Sequence, residues 1–183
     1  DNVAVGKSSL AANTIGNYNV SLGQSSMATN TTGHSNVAVG SEALRYETTG
    51  TNNVAVGFQA AKQMTTGSRN TALGSDALEL ISTGENNVAI GANALDANET
   101  ASNNTAVGYL SLTANTTGAD NTAVGKDSMD SNPTGSSNAA LGLDSLQNNS
   151  TGNYNTAIGR SALSSNSTGD NNVAVGYYAS LNS

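Results

Sequence analysis

An Asn followed four residues later by a Gly returns at one fixed interval through the whole chain. The Asn stands at 2, 19, 36, 53, 70, 87, 104, 121, 138, 155 and 172, and the Gly at 6, 23, 40, 57, 74, 91, 108, 125, 142, 159 and 176. The eleven copies contain no insertion or deletion. A second Gly series falls ten residues after the first, and only the copy ending near Ala101 breaks it. The two series account for all 20 glycines. A period this short describes one array of small coils, each resting on its neighbours, rather than a globule with one central core. Aromatic residues are only 4% and Trp is absent, so the large side chains of an ordinary core are missing.

Coils are numbered from 1, each starting one residue before its Asn, so coil 3 runs from Ser35 to Thr51 and Asn36 holds position 2. Position 3 is Val six times, Thr four times and Ala once, position 4 is always Ala or Ser, and position 5 is always Val, Leu or Ile. This β-branched triplet predicts a short strand. The Gly at position 6 ends it, where positive φ carries no steric cost. Positions 7 and 8 vary and predict a solvent-facing turn. Ala43-Leu44 and its equivalents at positions 9 and 10 predict a second, shorter strand. Ala61 and Ser180 deviate at position 10, and in the last copy Leu181 is expected to take over by a one-residue shift. Positions 11 to 17 are polar. Their Thr-Thr-Gly or Ser-Thr-Gly ending predicts a turn with the Gly in the left-handed region, and Pro133 falls in this loop. Frequent Gly, β-branched and Asn residues oppose helix, and a single repeat is too short for a helix pair.

The fold class that follows is all-β: a parallel β-solenoid, or β-roll, of eleven 17-residue coils forming one array over residues 1–183. At about 4.8 Å per coil the rod is about 50 Å long. Either strand face could look inward; apolar preference places positions 5 and 10 in the interior and the Asn at a coil corner. The Asn series is expected to form a ladder, each amide bonding its counterpart one coil away. Apolar burial within one coil falls short of the entropy of ordering that coil. The remainder is expected from inter-coil hydrogen bonds and from burial against other chains, as a homo-oligomer, with three parallel rods side by side the expected form. The chain begins and ends inside the repeat, which suggests a segment of a longer fibre, a processed chain or a unit stacking end to end.

The Asn36-Val37-Ala38-Val39-Gly40 core, followed by two variable residues and Ala43-Leu44, resembles the head repeats of trimeric autotransporter adhesins. The longer unit, with Asn121-Thr122-Ala123-Val124-Gly125 and the closing Asn115-Thr116-Thr117-Gly118, is similar to arrays in phage tail-fibre-like and surface-adhesin proteins. The resemblance covers the whole chain. It implies a left-handed β-roll, a homotrimer, and an extracellular place on a cell or virion surface. The adhesin-head repeat is usually shorter, so the polar loop here is expected to bulge outward. No neck, stalk or anchor pattern stands among residues 1–183.

Net charge is -7, with six scattered basic residues and no basic stripe, which argues against nucleic acid as partner. No apolar run reaches the roughly 20 residues of a membrane-spanning helix, and the chain has no Cys. His34 is the single histidine, so a His/Cys zinc cluster is out of reach, and no Ser-His-Asp arrangement is fixed around it. Asp76, Asp96, Asp127 and Asp144 fall at variable turn positions and predict a solvated face, not a metal site. Neither a catalytic residue nor a cofactor is expected, and the chain is not expected to be an enzyme.

The function expected is a structural extracellular fibre or adhesin shaft, a stiff spacer carrying variable surface residues. Tyr18, Tyr46, Phe58, Tyr109, Tyr154 and Tyr177, with Tyr178, are the candidate recognition residues, because exposed aromatics stack on sugars and flat protein surfaces. A host-surface glycan or protein is the partner they would suit, beside further copies of the chain itself. The alternative is ice binding by the Thr row at position 15 (32, 49, 66, 83, 100, 117, 134, 151 and 168). Adjacent Thr residues at positions 14 and 15 should point in opposite directions, which favours a turn-forming role for them. Asn30, Asn98, Asn115 and Asn166 head Asn-x-Thr/Ser sequons.

Overall fold

The computed structural model describes residues 1–180 of the chain. It is a parallel β-solenoid. Eleven three-residue strands, from Val3–Val5 to Val173–Val175, occupy positions 3 to 5 of successive coils. They form one sheet in strict sequence order, every pair parallel and each residue facing its counterpart in the next coil. Register is exact because the repeat length never changes.

Positions 9 and 10, expected as a second strand, are turn instead. The reason lies in the backbone. Three non-Gly positions per coil lie in the left-handed region: position 1 (Ser35, φ 59), position 8 (Glu42, φ 62) and position 10 (Leu44, φ 50). A bulky Leu there is strained. Alternating hand at positions 8 to 10 turns the chain sharply while aiming successive N–H groups along the rod axis. Glu42 N–H thus donates to the Gln24 carbonyl in the coil before, and Leu44 N–H to the Ala60 carbonyl in the coil after, at 2.9 and 3.0 Å. The strain is therefore offset by axial hydrogen bonds that an ordinary turn would leave to water.

The strand's inside and outside are the reverse of the expectation for position 5. From coil 2 onward position 4 is buried and positions 3 and 5 are half-buried or exposed. Position 10 is inside as expected: Met27, Leu44, Leu78, Leu95, Leu112, Met129 and Leu146 are all fully buried. The interior is too narrow for two branched side chains across one coil. Ala at position 4 faces Ala or Ser at position 9, and the larger residue at position 10 fills the rest. The Leu181 expectation lies outside the described residues.

A polar column runs beside this apolar one. The Asn at position 2 is a ladder residue, as expected, with a pattern richer than amide on amide. Asn121 Oδ1 accepts the backbone N–H of Asn138 at 3.0 Å, and Asn121 Nδ2 donates to the Gly135 carbonyl at 2.8 Å. The same two bonds recur from Asn36 to Asn53 and Gly50. A second Asn column, at position 13, was not foreseen. Asn149 Nδ2 donates to the Gly152 carbonyl and to Asn132 Oδ1, both at 2.8 Å. Where position 13 is Asn, the position-16 carbonyl thus receives two amides, as Gly152 does from Asn138 and Asn149.

The Gly at position 16 is needed for space, not for positive φ as expected, since only the position-6 glycines take positive φ. A Cβ on Gly135 would stand 2.5 Å from the Gly152 carbonyl oxygen and 2.7 Å from Asn149 Nδ2. The polar loop therefore folds inward at positions 13 and 16 and does not simply bulge.

Candidate interaction face

The strand leaves one regular surface uncovered. Its two rows, positions 3 and 5, hold only Val, Leu, Ile, Thr and Ala through all eleven coils. Exposure is substantial in the middle of the rod as well as at its ends: Val56 is 38% and Leu141 50% exposed. In-register pairing lines these side chains up with their counterparts at the strand spacing, about 4.8 Å. The result is an uncharged band running the length of the sheet, apolar throughout at position 5 and carrying Thr71, Thr105, Thr122 and Thr156 at position 3.

The aromatic candidates border the strands without forming one cluster. Tyr18 and Tyr154 hold position 1, just before the strand, and both are exposed. Phe58, Tyr109 and Tyr177 hold position 7, just after Gly, and are exposed as well. The Arg160 guanidinium, one coil earlier at position 7, lies 5.9 Å from the Tyr177 ring centre. Tyr177 also meets Tyr178 edge-on, with ring centres 4.5 Å apart. Tyr46 stands apart at position 12, half-buried beneath the Arg45 guanidinium at 5.1 Å. Sequence reasoning located these aromatics but missed the band between them, because position 5 was assigned to the interior.

The two Thr rows differ as expected. Position-14 hydroxyls are tied down: Thr31, Thr48 and Thr116 Oγ1 each donate to the carbonyl of the next coil's position 14, at 2.9 to 3.0 Å. Position-15 residues are exposed in every coil from Thr32 to Thr168. They form a single file, with no second hydroxyl row in phase beside them on that ridge.

The remaining candidates are quickly placed. His34 is exposed at position 17. Among the described residues no three His, Asp or Glu side chains gather where a metal ion could sit, and no helix is long and apolar enough to cross a membrane. Asp76, Asp127 and Asp144 stand on position-8 turns, and Asp96 is at position 11. Sequon residues Asn30, Asn98 and Asn115 are fully buried, their Nδ2 groups donating to the position-16 carbonyls. The folded rod offers those three no free amide. The charged residues pair on the outside, where Glu42 joins Arg45 at 2.6 Å and Lys62 at 3.3 Å. Slight burial pushes the Glu42 carboxyl up, but bonds from Lys62 and Gln59 and the Arg45 charge outweigh it and hold it below its ordinary value.

No family model, curated protein or solved structure matches the chain.

Proposed function

We propose that the chain is a structural rod, a stiff extracellular fibre or adhesin shaft that assembles with further copies of itself through its strand face. The observation that carries this reading is the uncharged, largely apolar band at positions 3 and 5, running through every coil. A rod whose own interior is narrow gains the missing apolar burial by setting that band against another rod. Three parallel copies, each turning its band to a common axis, bury all three bands at once, and the likeness to trimeric autotransporter heads favours that number. The bordering aromatics then lie at the seams, where a glycan or host protein can reach them. Axial hydrogen bonds repeated at every level resist extension, as a spacer requires.

Native mass and small-angle scattering test this reading. The expected species is an assembly of three 18.2 kDa chains, about 50 Å long, which V107K/V124K dissociates. An 18.2 kDa monomer at micromolar concentration would overturn it.

One observation favours a second reading, ice binding: the exposed position-15 Thr residues follow one another coil by coil at a fixed spacing. Thermal hysteresis of the purified chain, lost on replacing Thr83 and Thr117, is its required result. Absence of hysteresis removes it.

A further inference from the structure

The position-13 column contains one residue that does not belong there by ordinary chemistry. Glu47 occupies the place that Asn13, Asn30, Asn98, Asn115, Asn132, Asn149 and Asn166 hold in their coils. Its side chain is fully buried. One carboxyl oxygen, Oε1, accepts from Asn36 Nδ2 at 3.1 Å. The other, Oε2, has no partner. In the coil before, Asn30 Oδ1 is likewise buried without a partner.

These two orphans have one cause. Along the column an Asn gives an Nδ2–H to the Oδ1 of the Asn one coil earlier in every adjacent pair but Asn115 and Asn132, as Asn30 does to Asn13 at 3.2 Å and Asn166 to Asn149 at 3.0 Å. Asn30 Oδ1 should receive from residue 47, and a carboxylate has no proton to give. Glu47 and Asn30 nonetheless converge. A Cβ placed on Gly33 would collide with both Asn30 Oδ1 and Glu47 Oε1. Two acceptors turned toward one dry space repel each other unless one of them carries hydrogen.

We infer that Glu47 is held as a neutral carboxylic acid in the folded rod, donating its O–H to Asn30 Oδ1 in place of the missing amide, and that its ionisation opens the column at this coil. One proton on the carboxyl supplies the donor that Asn30 Oδ1 lacks, and Oε1 continues to accept from Asn36. The groups around Glu47 offer no countercharge. Asn30 and Gly33 face it from coil 2 and Asn36 and Gly50 from its own coil, while Met64 is its counterpart in coil 4. Glu42, Arg45 and Lys62 engage one another on the outer surface. Burial therefore acts unopposed by any charge. It pushes the carboxyl up to about 8, the Asn36 bond pulling the other way without cancelling it.

The sign of the pH effect follows. Below about 4.5, the ordinary value, Glu47 is protonated whether the chain is folded or not, and its contribution is complete. Above that the unfolded chain releases the proton and the folded one keeps it. Stability therefore falls as pH rises toward about 8 and then levels off. The rod acquires an alkaline-sensitive point in coil 3, and coils with Asn at position 13 have none.

Carbon-13 NMR of the glutamate carboxyl carbons tests this on the unaltered chain. One of them should titrate near 8, and that resonance should be missing from E47Q. The urea midpoint should drop between pH 5 and pH 9 in the native chain and hold steady in E47Q, whose side-chain amide donates at any pH. Carboxyl carbons that all titrate near the ordinary value overturn the inference. So does an E47Q chain with the same pH-dependent drop.

Discussion

Coils 3 to 5 and coils 8 to 10 share one backbone but fill the position-13 column by different means. Coils 8 to 10 carry Asn132, Asn149 and Asn166, joined amide to amide and each anchored on its position-16 carbonyl. Coils 3 to 5 carry Glu47, Met64 and Ile81, all fully buried. There the column passes from polar to apolar, and nothing links one coil to the next through it. The position-2 Asn ladder continues unbroken past both segments. Position 2 is thus the obligatory polar column. Position 13 is optional, provided that its neighbours adjust.

The adjustment is visible at position 10. Coil 4 has Ala61 where nearly every other coil has Leu or Met, and Met64 is buried in the same core, its sulfur 3.9 Å from Asn70 Nδ2. Met bends into irregular gaps more readily than a branched residue does. The amide segment is therefore rigid and directional, and the apolar segment is deformable.

An added methyl group separates the two most sharply. In G135A the new Cβ stands 2.7 Å from Asn149 Nδ2 and 2.5 Å from the Gly152 carbonyl. Both are fixed by their own hydrogen bonds, and an expected loss of about 3 kcal/mol follows. In G67A the carbonyl contact is much the same, 2.6 Å to Gly84, but the side-chain contacts are looser, 3.1 Å to Asn70 Nδ2 and 3.4 Å to Met64 Cγ. That side chain can move, so about half the loss is expected. Urea unfolding of the two variants decides the matter, and equal losses would erase the distinction between the segments.

A smaller effect is expected from exchanging the compensating pair. A61L alone crowds Met64, and M64N alone leaves a cavity beside Ala61. Together they restore the arrangement of coil 9, where Leu146 accompanies Asn149. The double-mutant cycle should show a favourable coupling of about 1–2 kcal/mol. Additivity would mean that the two sites do not share one space.

These contrasts also show what the sequence could reveal. The period, the strand, the Gly6-type turn and the buried position 10 are all legible, since each depends on a residue type recurring in phase. The inward face of the strand is legible from size rather than from hydrophobicity. Position 4 never exceeds Ala or Ser, as a confined site requires, while position 3 exchanges Val, Thr and Ala, as an open site permits. Reading Val39 as core because it is the more apolar residue inverts the strand. The position-13 column is harder to see. Asn recurs there at 13, 30, 98, 115, 132, 149 and 166, but Glu47, Met64 and Ile81 interrupt it, and the polar neighbours on both sides make it look like solvent-facing loop. Left-handed Leu at position 10 has no sequence signature, because the strain is offset by bonds between coils.

The mildest expected effect concerns Ala101, where the position-16 Gly series is broken. A Cβ at this position in other coils would press on the next coil's carbonyl, within 2.6 Å on Gly67. At Ala101 that Cβ exists, and the contacts between coils 6 and 7 have loosened. In coils 1 to 5, 7 and 9 the position-14 N–H reaches the following coil's carbonyl, as Thr48 reaches Thr65 at 2.9 Å and Ser82 reaches Glu99 at 2.8 Å. Among the described residues Glu99 and Thr100 make no such bond to Thr116. Asn115 Nδ2 is 3.4 Å from Asn98 Oδ1. The A101G variant should let coil 7 settle back. Glycine carries an entropic penalty of about 0.5–1 kcal/mol, whereas relieving an overpacked contact returns about 1–3 kcal/mol. A net gain of about 1 kcal/mol is therefore expected, with slower amide hydrogen exchange at Glu99 and Thr100. If A101G instead lowers stability, the crowding lies elsewhere, and Glu99, which lacks the position-14 hydroxyl, becomes the cause of the loosened junction.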